Sequence, residues 1–165
     1  MAVEFRKSSL ISNADTVPAV LNNPRVDGGF ERAKVSTSSV INLDSIGSII
    51  RFFRVPSNAV MTDLRVYCPS INGALTDIGL YRTEKDGGAV VDADLFASAQ
   101  ALTSTLTGAD VLHESGVFSI ANGGQELWQA LGLTSDPSVQ YDVAFTLTAA
   151  ATSTGTVKVI GRYTA

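Results

Sequence analysis

Over most of its length the chain alternates apolar and polar residues with a period of two, the pattern of half-buried antiparallel strands. Val60, Thr62, Leu64 and Val66 fall on one face of a strand, with Met61, Asp63, Arg65 and Tyr67 on the other. Thr76, Ile78 and Leu80 alternate with Asp77, Gly79 and Tyr81. Tyr141, Val143, Phe145 and Leu147 oppose Asp142, Ala144, Thr146 and Thr148, and the last strand sets Val157, Val159 and Tyr163 against Lys158 and Arg162. Glu31 to Asn42 is rich in β-branched residues and serine, while Ser48 to Val55 is denser in Ile and Phe and stops at Pro56. Two segments depart from this period. Asp92 to Leu102 brings Leu95, Phe96, Ala99 and Leu102 onto one helical face, and Gly123 to Leu131 does the same with Leu127, Trp128 and Leu131. Each predicts a short helix.

Many short strands with turn signals between them predict an all-β fold, a jelly-roll-like antiparallel β-sandwich of about eight strands. One or two short helical insertions interrupt it over residues 30–165. Residues 1–29 read differently. Pro18, Pro24, Asn22, Asn23, Gly28 and Gly29 punctuate them, and no period emerges. Yet they carry Phe5, Leu10, Ile11, Val17, Val20 and Leu21, more large apolar side chains than a solvating tail needs. The expectation is an extended N-terminal arm that gains order against a partner.

The segment SIIRFFRV (residues 48–55) breaks the alternation. Strict pairing puts Ile49, Arg51, Phe53 and Val55 on one face, with Ile50, Phe52 and Arg54 on the other. Both faces are then largely apolar, and each carries an arginine. Two explanations stand. A β-bulge shifts the register partway along, or the second face is covered by the arm or by another subunit, with the arginines paired at the rim. The candidate interface residues are therefore Ile50, Arg51, Phe52 and Arg54 on the strand, with Leu10, Ile11, Val20 and Leu21 on the arm.

Composition narrows the function. Only 17% of the 165 residues are charged and the net charge is −4, so the basic stripe needed for nucleic acid is missing. No run of about 18 uninterrupted apolar residues predicts a membrane helix, and no apolar run follows the basic residues at the N-terminus as in a signal peptide. Cys68 stands alone and can form no internal disulfide. These features lead to the expectation of a soluble protein made in a reducing cytoplasm.

Candidate chemistry is thin. Glu84 to Gly88 reads as a polar turn with glycines free to take positive φ, and Asp92 reads as the cap of the helix that follows, with Asp94 in its first turn. A calcium loop would need more oxygen ligands at regular spacing. His113, the only histidine, lacks the partners of a general base or zinc site and reads as a partly exposed strand or turn residue. Cys68 reads as a small buried hydrophobe. No Gly-X-Ser-X-Gly elbow or phosphate loop is present. One histidine cannot supply the metal cluster of a cupin-type enzyme. Tyr81, Trp128, Tyr141 and Tyr163 could stack a sugar if they formed an exposed row. The expectation is no enzyme, no cofactor and no metal.

Residues Ile49 to Ala59, the run TDIGLY from Thr76 to Tyr81, and the Gly-Gly turn into Val90 to Phe96 resemble tailed-phage head proteins. The nearest resemblance is to the cement or decoration proteins on the outside of podophage-type capsids, and it covers Gly29 to Thr148 in order of elements. It implies a jelly roll made in the host cytoplasm and placed on the capsid exterior. There it would assemble as a homo-oligomer, a dimer or trimer, and clamp neighbouring major capsid subunits. No residue role carries over, because the shared motifs are structural. The alternative is a carbohydrate- or receptor-binding module of the virion.

Overall fold

The computed structural model describes residues 7–165; Phe5 lies outside the described residues. Eight strands form two four-stranded antiparallel sheets. The strands are β1 (Glu31–Val40), β2 (Ile49–Pro56), β3 (Val60–Cys68), β4 (Leu75–Arg82), β5 (Val90–Ala101), β6 (Leu106–Asp110), β7 (Gln140–Ala149) and β8 (Gly155–Thr164). One sheet runs β1-β8-β3-β6 and the other β2-β7-β4-β5. Every connection except the β4–β5 hairpin crosses between sheets, which is the winding of a jelly roll.

The inward-facing residues are those the alternation marks. Val143, Phe145 and Leu147 of β7 pack with Ile78 and Leu80 of β4 against Leu64 and Val66 of β3 and Val157 and Val159 of β8. Gly161 of β8 faces the Phe53 ring so closely that a Cβ there would lie 2.2 Å from it. The 111–139 connection closes one end of this core with Phe118 and Leu127.

Three expectations are corrected. Asp92 to Leu102 forms no helix, and Asp92 is no cap; the segment is strand β5. Between Ile78↔Ala97 and Leu80↔Asp92, β5 advances five residues for two of β4. Those extra residues bury Leu95, Phe96 and Ala97 in succession, so a bulged strand imitates a helical face. The displaced backbone crosses Gly79, where a Cβ would meet the Asp92 carbonyl at 2.0 Å. Second, β3 carries an extra residue between Met61 and Asp63. Thr62 is thereby turned out to solvent, where it donates to Glu31 at 2.8 Å, instead of joining Leu64 and Val66. Third, the arm is not extended throughout, because Ser9–Ala14 forms a short helix, α1, capped by the Ser8 hydroxyl. The second expected helix is real but brief, a single turn over Leu127–Ala130 (α2).

Candidate docking surfaces

The anomaly in SIIRFFRV resolves within the chain. Arg51 pairs with Ala144 and Phe53 with Val143, leaving Phe52 as the extra residue of a bulge. After the bulge the register is shifted, so Ile49, Arg51 and Arg54 all pair with the outward residues Thr146, Ala144 and Asp142 of β7. Ile50, Phe53 and Val55 pair with the inward Phe145, Val143 and Tyr141. Phe52 itself is buried, its ring tilted against Phe145 at 4.6 Å between centroids. The bulge, rather than a covering subunit, accounts for the two apolar faces. Of the strand candidates, Phe52 is buried and Ile50 partly buried against the chain's own core.

Arg51 and Arg54 stand together on the outer face because of that shift, and they converge on Asp142. Arg54 donates from Nε to Oδ1 at 2.7 Å and from Nη2 to Oδ2 at 3.2 Å, the fork geometry of a guanidinium on a carboxylate. Its hydrogen bond to Asp142 raises the Arg54 pKa further above an already high value. Arg51 donates to the same carboxylate at 3.3 Å. It also donates to the carbonyls of Arg82 and Gly88, both at 2.9 Å, and lies over the Tyr81 ring. Arg51 thus fastens the Glu84–Gly88 turn to β2. Glu84–Asp86 forms one 3₁₀ turn, and Gly87 and Gly88 both take positive φ, as the polar turn requires. Beside this cluster opens a recess of about 410 Å³ bordered by Arg54, Thr83, Lys85, Asp86, Ser138 and Gln140.

The arm presents a different surface. Its last part is tied to the body: Arg25 pairs with Glu126 at 2.7 Å, and the Arg25 carbonyl accepts from the Thr164 hydroxyl at 2.7 Å. Glu126 also accepts from the Trp128 indole at 2.7 Å, so the anchor is shared with α2. Ahead of it, α1 has no buried residue. Ile11 and Val20 are more than half exposed, Val17 and Leu21 are 99% and 94% exposed, and Leu10 is half-buried. Three of the four arm candidates, Ile11, Val20 and Leu21, are therefore more than half exposed, and the described hydrogen bonds of the arm to the sandwich go to Glu126 and Thr164.

The chemical candidates all have structural partners. His113 sits in a turn, its Nδ1 3.0 Å from the Phe118 carbonyl and its ring stacked on that of Phe118. Cys68 is buried, and burial pushes its thiol pKa up, away from reactivity. Asp92 accepts from the Asp94 backbone at 3.3 Å; burial first, and a hydrogen bond with Asp94 second, raise its carboxyl pKa. Among the described residues no three His, Cys, Asp or Glu side chains gather as metal ligands. Tyr81, Tyr141 and Tyr163 are buried and Trp128 is half-buried, so these four make no exposed row for a sugar.

No family model and no curated protein matches the chain. Among solved structures, a chain of the capsid asymmetric unit of cyanophage Pam1 has a similar fold, with a TM-score of 0.52 and 16% sequence identity. The similarity covers 91% of this chain and 96% of that one.

Proposed function

We propose that this chain is a structural protein of a phage virion, one that binds the outside of the capsid as a homo-oligomer and stabilises the shell by joining neighbouring major capsid subunits. The observation that carries the reading is the jelly roll shared, over nearly the whole of both chains, with a chain of a cyanophage capsid. The arm supports it: five large aliphatic side chains, from Leu10 to Leu21, stand on a segment with little contact to its own sandwich. Isolated in water, such a segment gains little by order, whereas burial against a neighbour recovers about 25 cal/mol for each Å² of apolar surface covered. The role is one of binding rather than chemistry, since His113, Cys68 and Asp92 are each engaged within the fold.

Stabilisation then follows from linkage. A protein that binds two shell subunits at once favours the assembled shell over its parts, and repeated weak contacts add through multivalency. The test is co-sedimentation of the purified chain with shells assembled from the major capsid protein of the same virus, followed by heating. Saturable binding and a raised shell melting temperature are expected. Absence of binding at micromolar concentrations would sink the reading.

A further inference from the structure

Each end of the sandwich carries an apolar surface that is poor in charge. At one end four loops meet: residues 41–48, 69–74, 102–105 and 150–154. Hydrogen bonds knit them together, from Leu43 to the Ala151 carbonyl at 3.0 Å and from Ala151 to that of Asp44 at 3.1 Å. Asp44 is the one ionisable residue in all four loops, and its carboxylate accepts from the Ile41 backbone N–H at 2.8 Å. Ile41, Leu43 and Ile46 are 56%, 82% and 69% exposed, and Ile49 follows at the start of β2. Leu43 is held at a φ of +78°, a left-handed conformation that disfavours any residue with a Cβ. The loop thus presents a leucine to solvent on a backbone tied to its neighbour.

The arm stands at the other end. Residues 8–22 hold one ionisable side chain, Asp15, and it is paired with Lys7 at 2.6 Å. Ile11, Val17, Val20 and Leu21 are all more than half exposed. The arm's own hydrogen bonds fold it back on itself. Val20 donates to the Asn13 carbonyl at 3.0 Å, and the Asn22 side chain accepts from Asn13 at 2.7 Å and donates to Asp27 at 2.9 Å. These bonds keep the arm beside its root at Arg25, which the Thr164 hydroxyl holds. The ten residues of β1 separate that root from the 41–48 loop, a span of about 33 Å. The arm leaves its own chain's far pole uncovered.

We infer that the arm of one copy docks on the 41–48 pole of the next and joins copies head to tail, a contact that rests on the homo-oligomer part of the function proposed above. The two surfaces match in chemistry. Both are aliphatic, and the carboxylates they carry, Asp15 and Asp44, already have partners, so burial strips no lone charge. The described recesses of the sandwich are a poorer seat for the arm. They border Arg51, Arg54, Lys85, Asp86 and Asp136, which aliphatic side chains would desolvate without compensation. Placement argues the same way. A symmetric pairing of arm with arm, or of pole with pole, leaves the other surface of each chain bare. A head-to-tail contact covers both in every copy once a ring closes. Both surfaces are also held in place by their own hydrogen bonds, so little conformational freedom is lost on docking.

Complementation between two full-length variants tests this. The arm variant carries Val17→Ser and Leu21→Ser, and the pole variant carries Leu43→Asn and Ile46→Ser. All four positions are exposed, and asparagine tolerates the left-handed region, so both variants should melt with the parent. By light scattering the parent should be an oligomer and each variant alone a single chain. Mixed, the intact arm of the pole variant meets the intact pole of the arm variant. The mixture should therefore form a pair of unlike chains and nothing larger. Should either double variant fail to fold, the chain starting at Asn22 and the single Leu43→Asn variant take their places. A variant that keeps the parent's mass overturns the inference, and so does a mixture that forms no pair up to the limit of solubility. A parent that is a single chain at every concentration overturns it together with the homo-oligomer reading, while co-sedimentation with shells decides the capsid reading separately.

Discussion

At the scale of single residues, Asp142 does the most to hold the outer face of β2 and β7. It is nearly buried and accepts from two guanidiniums, one of them 21% exposed and the other 40%. Removing the carboxylate takes away the hydrogen-bonded counter-charge of both guanidiniums and leaves Arg51 only a 3.9 Å contact with the exposed Glu84. Asp142→Ala is expected to cost about 2 kcal/mol, the lower end for a broken buried pair because Arg54 is well solvated. Arg54→Ala should cost clearly less, since Arg51 still donates to Asp142 and Arg54 is well solvated. Urea unfolding of the two variants checks the order. Asp92 gives a pH signature. Its carboxyl pKa is raised in the fold, so the folded state holds the proton more tightly than the unfolded chain. Its contribution is therefore favourable at low pH and is lost as pH rises from the ordinary aspartate range through the raised value. Asp92→Asn keeps an oxygen to accept from Asp94 and carries no charge. Relative to the parent, it should gain stability as pH rises through that window, read as a growing difference in urea midpoint.

At the scale of elements, bulges separate what was legible in the sequence from what was not. Regular strands were plain: β4, β7 and β8 alternate without interruption through their cores, and their inward residues are the expected ones. An extra residue is invisible to a period-2 reading except as a contradiction. In β2 the contradiction was visible, because an arginine on each of two apolar faces cannot suit one sheet. In β5 it was disguised, because bulged burial of Leu95, Phe96 and Leu102 falls near the helical spacing. The helix expected there lost to pairing with β4, a tertiary contact that no local window contains. The candidate surfaces were less legible still. The arm's aliphatic residues announced themselves, but the loop 41–48 reads as an ordinary turn until its backbone conformation and exposure are seen. The β2 bulge makes its own prediction. Removing Phe52 leaves Ile50, Phe53 and Val55 inward and Arg51 and Arg54 outward, because the surplus residue alone is deleted. The deletion variant should fold and retain the Arg54–Asp142 pair, at a cost near that of Phe52→Ala, about 3 kcal/mol for the lost packing on Phe145. Circular dichroism and urea midpoints would test it; a deletion that unfolds the chain would show that the bulge itself is required.

At the scale of the whole molecule, the two exposed apolar surfaces lie on opposite poles. The arm is anchored through Arg25 at the end that carries Glu126 and Thr164, whereas Leu43 stands at the other. The arm's exposed aliphatic side chains are free to reach a sister copy. A chain starting at Asn22 isolates the arm's share. It keeps the Arg25–Glu126 pair, and it loses α1, none of whose residues is buried, so its melting temperature should stay within about 2 °C of the parent's. Its mass by light scattering should drop toward that of a single chain. Shell binding should weaken with it, because a monomer forfeits the effective concentration that a linked neighbour supplies, a factor of about 10² or more where geometry permits joint binding. Forcing the shortened chains together with an added trimerising coiled coil should restore most of that affinity without restoring any arm contact. Recovery would assign the arm to self-assembly. Failure to recover, with the oligomer intact, would mean that Val17 and Leu21 touch the shell themselves.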